Sequence, residues 1–165
     1  MLFFVIALLV TSADQLSKFW IRSHSEGQII FRTGFFSIIH VNNTGAAFGI
    51  LQDQSFLLTI AGFAGILLIL FFAFVISHRS TFLSATPTKL ALGLVLGGTI
   101  GNLTDRLRFG QVTDFISVSI WPTFNIADSA VTIGVILFAY LFLVSTKDEK
   151  PLPPGVSEEQ GQSTP

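Results

Sequence analysis

From Ser55 to Ser77 the chain runs for twenty-three residues without a charge. At about 1.5 Å of rise per residue, a helix of that length exceeds the roughly 30 Å hydrocarbon core of a bilayer, so the run predicts a membrane-spanning helix. Composition argues the same way against a soluble globular enzyme: half the residues are apolar, 12% are charged, and eighteen are Phe, with a mean hydropathy of +0.70. Three more apolar stretches contain or abut ionisable groups: Leu2 to about Ile21 (Asp14, Lys18), about Thr88 to Arg106 (Asp105, Arg106) and about Thr123 to Ser145 (Asp128). The first is read as a span rather than a secretory signal, because it lacks a basic leader and carries Asp14 where a cleavage site would fall.

The expectation is an all-α polytopic membrane protein with four transmembrane helices in one domain, residues 1–146. Residues 147–165, rich in Pro, Gly, Ser, Glu and Gln, are expected to form a disordered tail. Between spans 1 and 2, Ile29-Ile30-Phe31 and Phe35-Phe36-Ser37-Ile38-Ile39 read as short strands, broken by Gly34 and by Asn42-Asn43-Thr44-Gly45. Between spans 3 and 4, Val112, Asp114, Ile116, Val118 and Ile120 alternate with Thr113, Ser117 and Ser119, which predicts a strand with Asp114 on its apolar side. Thr123, after Pro122, reads as the N-cap of the last helix. Gly93, Gly97 and Gly101 recur every fourth residue and predict a groove for close helix packing.

Four spans put both termini on one side and both strand-bearing loops on the other. Lys and Arg counts on the two sides are nearly equal, so charge alone leaves the orientation undecided. With net charge −1 and no basic arm, nucleic acid is not an expected partner. The absence of Cys removes thiolate chemistry and zinc-thiolate sites.

An ionisable side chain inside a span costs about 2.5–3.5 kcal/mol on insertion scales, so each needs a partner, a watery cavity or a task. Asp14, Lys18, Asp105, Arg106 and Asp128 all fall in the helix halves that face the loops, and Asp114 comes from a loop. Asp14 and Lys18, four apart, share a helix face and read as an ion pair that supports the site. Asn102 and Arg106 share another face and carry donors suited to a carbonyl or peptide backbone. Asp105 reads as a marker of the membrane interface. Asn125 and Asp128 repeat the spacing, with the small Ala127 between them.

Asp114 and Asp128 are placed to meet at the membrane surface. Close carboxylates share one proton; the charged member can then deprotonate a water while the neutral member protonates a departing amine or polarises a carbonyl, the chemistry of an aspartyl peptidase. His24, His40 and His78 have no ligand spacing, and no Ser has an activating Lys or His. Asp105, Asp114 and Asp128 holding a hard cation is the competing site reading. A proton or cation carrier relaying through Asp14, Asp105 and Asp128 is the competing function; it requires ionisable groups spread through bilayer depth.

In order, Ala13-Asp14-Gln15-Leu16-Ser17-Lys18, Asn43-Thr44-Gly45-Ala46-Ala47-Phe48, Gly97 to Arg106, Val112-Thr113-Asp114-Phe115-Ile116 and Phe124-Asn125-Ile126-Ala127-Asp128-Ser129 resemble the lipoprotein signal peptidase (signal peptidase II) family over about Met1 to Ser145. The resemblance implies an aspartyl endopeptidase of the bacterial inner membrane, with cytoplasmic termini and an active site at the outer-leaflet surface. Its partners would be membrane lipids and a diacylglyceryl-modified prolipoprotein, cut before the lipidated Cys, and it would act as a monomer without cofactor or metal. Asp114 and Asp128 match the catalytic pair. Asn43, Asn102, Arg106, Asn125 and Ala127 match positions lining the site, and Asp14 and Lys18 a supporting pair. The 43–48 segment is expected to close over substrate. Two departures stand beside the pair: a slightly short stretch between Asp114 and Asp128, and Thr113 where a second Val is usual.

Overall fold

A computed structural model describes residues 1–45, 51–76 and 81–148. The readings made for Ala46, Ala47 and Phe48, for His78 and for the tail from residue 149 therefore lie outside the described residues. In chain order the elements are α1 (Leu2–Ile21), β1 (Ile29–Thr33), β2 (Phe36–Asn43), α2 (Ser55–Phe71, continued by a π-helical turn, Phe72–Ile76), α3 (Thr81–Ser84), α4 (Thr86–Phe109), β3 (Val112–Val118) and α5 (Ile126–Asp148).

Among the described residues, three segments are long and apolar enough to cross a membrane: Leu2–Ile21, Ser55–Phe74 and Ile126–Thr146. With 24 residues, α4 is long enough for a fourth crossing. Its four charged residues, Lys89, Asp105, Arg106 and Arg108, sit towards its ends. Pro in its first turn and Gly110 at its C-cap, with φ 73°, bound it as helix start and stop signals. The exposed side chains are largely Leu, Ile, Phe and Val, as on Leu8, Phe56 and Ile136, an inside-out distribution that suits lipid as solvent.

Glycines set the direction of packing around α4. A Cβ at Gly93 would stand 2.9 Å from the Phe3 carbonyl oxygen, at Gly97 2.7 Å from that of Ala7, and at Gly101 2.6 Å from Asp14 Oδ2. These contacts advance together along both helices, so α1 and α4 run parallel. On another face Gly98 abuts the Ala127 carbonyl, and a Cβ at Gly134 would stand 2.8 Å from the Ala91 carbonyl oxygen, so α5 runs antiparallel to α4. Phe3, Ala7, Ile69, Leu83, Leu92 and Leu96 form an apolar core towards the end that holds Met1.

The opposite end carries an antiparallel sheet in the order β1-β2-β3. Gly34, with φ 50°, is the first of the two residues that turn β1 into β2 between Thr33 and Phe36, a conformation Gly adopts without steric cost. Asn42 and Asn43 continue β2 rather than breaking it, because they pair with Thr113 and Val112. Between Ile38 and Val41 the β2–β3 register shifts by one residue. Since side chains alternate faces, this bulge decides that Asn43, not Asn42, shares a face with Asp114.

Two further sequence expectations are corrected. The last helix is capped by Asn125 rather than Thr123: Asn125 Oδ1 accepts from the Asp128 N–H at 2.9 Å, and the Asn125 carbonyl from the Ser129 N–H at 3.2 Å. The β3 alternation does not appear as alternating burial, because Val112 to Phe115 are all buried. The end of α1 covers the second face, where Arg22 reaches Thr113.

Candidate active site

Asp114 reaches the site from β3, and Asp128 from the first turn of α5. Each is oriented by an Asn. Asn43, diagonal to Asp114 across the β2–β3 ladder, donates from Nδ2 to Asp114 Oδ2 at 2.9 Å. Its own Oδ1 accepts the Gly45 N–H at 2.9 Å, which fixes the amide. Asn125, fully buried, donates from Nδ2 to Asp114 Oδ1 at 2.7 Å. Asn125 and Asp128 also form a reciprocal capping box: the Asn125 N–H donates to Asp128 Oδ2 at 3.1 Å while Asn125 Oδ1 accepts from the Asp128 N–H. One side chain thus caps α5 and ties both acids together.

The second oxygen of Asp128 accepts from Asn102 Nδ2 at 2.7 Å. Both carboxylates line one cavity of about 560 Å³, together with Asn43, Asn102 and Arg106 and walls that include Trp121 and Phe124. Asp114 is 2% exposed. Burial first, and the negative charge of Asp128 second, push its carboxyl up to about 7, against the hydrogen bonds from Asn43 and Asn125. Arg106 donates from Nη2 to the Gly45 carbonyl at 3.3 Å, and its buried Nε has no partner among the described residues.

Beneath this pair lies a second polar layer. Lys18, fully buried, places three acceptors around its three-donor ammonium: Asp14 Oδ2 at 2.9 Å, Asn102 Oδ1 at 2.9 Å and Asp105 Oδ2 at 3.2 Å. Asp14 Oδ1 accepts the Ala127 N–H at 3.0 Å, satisfying a first-turn donor of α5. The missing side chain at Gly101 admits Asp14, and a small residue at 127 lets α5 close against Gly98. All nine residues singled out from the sequence, Asp14, Lys18, Asn43, Asn102, Arg106, Asp114, Asn125, Ala127 and Asp128, meet in or directly below the cavity.

Asp105 is the exception to its sequence reading. It does not mark the interface; it is fully buried, accepting from the Thr113 N–H at 3.0 Å and from Gln15 Nε2 at 3.0 Å, and pairing with Arg22 Nη1 at 3.4 Å as well as with Lys18. Its oxygens are committed, so it cannot join Asp114 and Asp128 as a cation ligand. Asp14, Asp105 and Asp128 also gather at the sheet end of the bundle instead of spreading through its depth, which removes the placement that a proton or cation relay requires.

Residues 6–144 match the family described as signal peptidase (SPase) II. A lipoprotein signal peptidase of Dehalococcoides mccartyi is 48% identical over 147 residues, covering 88% of this chain and 91% of the relative. One of Moorella thermoacetica is 37% identical over 149 residues, covering 89% and 96%. The chain belongs to the signal peptidase II family. In three dimensions it is similar to a bacterial membrane enzyme solved by the in meso method at 2.3 Å resolution, with a TM-score of 0.79 and 31% identity, over 92% of this chain and 93% of that one.

Sequence reasoning missed three residues of this family member's polar layer. Gln15 bridges Asp14, Asp105 and the Gly101 carbonyl. Arg22 joins Asp105 to the Thr113 hydroxyl, which accepts from Nη1 at 3.2 Å. Thr113, the departure from a second Val, is therefore the acceptor that a Val would lack. The available signal was the spacing: Asp14, Lys18 and Arg22 recur every fourth residue, one charged stripe on α1.

Proposed function

We propose that this chain is an aspartyl endopeptidase that removes the signal peptide from diacylglyceryl-modified prolipoproteins by cleaving before the lipidated Cys. The observation that carries this reading is the Asp114–Asn125–Asp128 bridge in one cavity, with Asp114 titrating near neutrality so that the pair holds one proton.

In this mechanism the charged Asp128 takes a proton from a water whose oxygen attacks the scissile carbonyl carbon, while the neutral Asp114 donates its proton towards the carbonyl oxygen. Collapse of the tetrahedral species re-forms the C=O and returns that oxygen's proton to Asp114 as the C–N bond breaks, and the proton taken from water by Asp128 passes to the departing amine of the lipidated Cys. Arg106, whose Nε has no partner among the described residues, and Asn102 hold the substrate backbone; Asn43 and Asn125 hold the acids. Asp14, Lys18 and Ala127 position α5 and with it Asp128. The chemistry draws on oxygen and nitrogen side chains, all supplied by one copy of the chain.

A substrate anchored by acyl chains and a signal helix stays in the bilayer and must enter sideways, which fits a polar cavity at the end of a bundle whose outer faces are apolar. The sheet end faces the outer leaflet of the bacterial inner membrane, and both termini are cytoplasmic. The deciding experiment incubates the purified chain with a diacylglyceryl-modified precursor beside its unlipidated form. Only the first should be cut, and Asp114→Asn and Asp128→Asn should each lower turnover by at least about 10³-fold while still inserting. Full activity in either variant, or equal cleavage of both precursors, would remove the proposal.

A further inference from the structure

A second cleft, of about 720 Å³, lies between α1 and the last turn of α4 and shares no lining residue with the cavity of Asp114 and Asp128. Leu16 and Phe19 form its membrane-side wall, 70% and 74% exposed. Arg22, Ser23, Arg108 and Phe109 form its rim, about one to two helical turns nearer the end of the bundle. The Cζ atoms of Arg22 and Arg108 lie 4.6 and 5.3 Å from the centroid of the same Phe109 ring, so both guanidiniums border one aromatic side chain.

The charge of Arg108 is not balanced locally, and Arg22 uses only part of its donor set. In the polar layer Asp14 and Asp105 are matched by Lys18 and Arg22. Arg108 has no carboxylate partner among the described residues. Arg22 commits Nη1 to Asp105 and Thr113; its remaining N–H donors have no acceptor among the described residues. Two guanidiniums at the rim of a cleft whose wall is exposed Leu16 and Phe19 suit an anion that also carries acyl chains.

We propose that this cleft binds an anionic glycerophospholipid, its phosphodiester between Arg22 and Arg108 and the first acyl carbons along Leu16 and Phe19. The inference rests on the membrane fold and is independent of the peptidase reading. The test is native mass spectrometry of the full chain released from detergent micelles holding equimolar dipalmitoyl phosphatidylglycerol and phosphatidylcholine. The wild type should retain phosphatidylglycerol about fivefold over phosphatidylcholine. Arg108→Gln, which removes the cation outside the buried ion pairs, should bring the ratio near one at unchanged melting temperature. Arg32→Gln, on the exposed strand β1, should leave the ratio intact. Equal retention in the wild type, a preference that survives Arg108→Gln, or an equal loss in Arg32→Gln would overturn the site. Displacement of the lipid by glycerol 3-phosphate at equal concentration would overturn the part assigned to the acyl chains.

Discussion

Asp114 meets two opposing pressures: amides from Asn43 and Asn125 favour its charged form, while burial and the neighbouring Asp128 favour the neutral one and prevail. Its carboxyl therefore stays protonated in the fold up to about 7, against 3.8 for the free side chain. The folded state binds this proton more tightly than the unfolded chain, so stability falls as pH rises from about 4 to about 7 and is flat with respect to this group above that. Asp114→Asn should abolish that slope, measured as melting temperature against pH in one detergent; a slope that survives would place the perturbed proton elsewhere. For the same reason turnover should decline as pH rises through about 7, where the pair loses its single proton. Lys18 gives a second prediction. Lys18→Met would leave buried Asp14 without its cation and Asp105 with Arg22 alone, a loss on the order of 3–5 kcal/mol for a broken buried pair, whereas Arg22→Met leaves Lys18 to compensate both acids. Folded yield should collapse in the first and fall modestly in the second. The acids stood out in the sequence because charge is conspicuous in apolar surroundings. Asp105 was misread, and Gln15, Arg22 and Thr113 passed over, because their partners lie 83 to 91 residues away along the chain.

At the scale of elements, α4 is the ruler on which the site is measured. Its glycines bring α1 and α5 to backbone contact on two faces, and the same faces deliver Asn102, between Lys18 and Asp128, and Asp105, under Thr113. Gly98→Ala would drive a Cβ into the Ala127 carbonyl, a backbone atom with no rotamer to adopt. The start of α5 must then move, taking Asp128 with it, and precursor cleavage should drop by about 10²-fold or more alongside a loss of stability. Gly65→Ala on α2 is the matched control: nothing lies within 4 Å of the added atom, and trading Gly for Ala in a helix should leave cleavage intact with a gain of about 0.5–1 kcal/mol. The repeat at Gly93, Gly97 and Gly101 was legible as a packing groove. Which helix filled it was not, since periodicity names a face but not its partner. Likewise Thr123 satisfied the local rule for an N-cap, yet Asn125 took the position because its amide also meets Asp114 and Asn102. The β2 bulge that selects Asn43 over Asn42 left no readable mark, as both neighbours have the same chemistry.

For the whole molecule, parallel α1 and α4 with antiparallel α5 put residues 21–45, 51–54 and 109–125 at one end and Met1 and the last turn of α5 at the other, and the site belongs entirely to the first end. Spans and strands were legible from hydropathy and period because each is a local property. The direction of the bundle across a membrane was not, since the two ends carry nearly equal numbers of Lys and Arg. The lack of any native Cys makes the orientation directly measurable. Ser25, exposed in the turn after α1, and Thr146, exposed near the end of α5, mark the two ends. With Ser25→Cys, a membrane-impermeant maleimide should label intact spheroplasts. With Thr146→Cys, labelling should appear only after permeabilisation. The reverse pattern would put the carboxylate pair on the cytoplasmic face, where a signal peptide already carried through the membrane could not reach it. Labelling of both in intact spheroplasts would break the even number of crossings on which the placement of the termini depends.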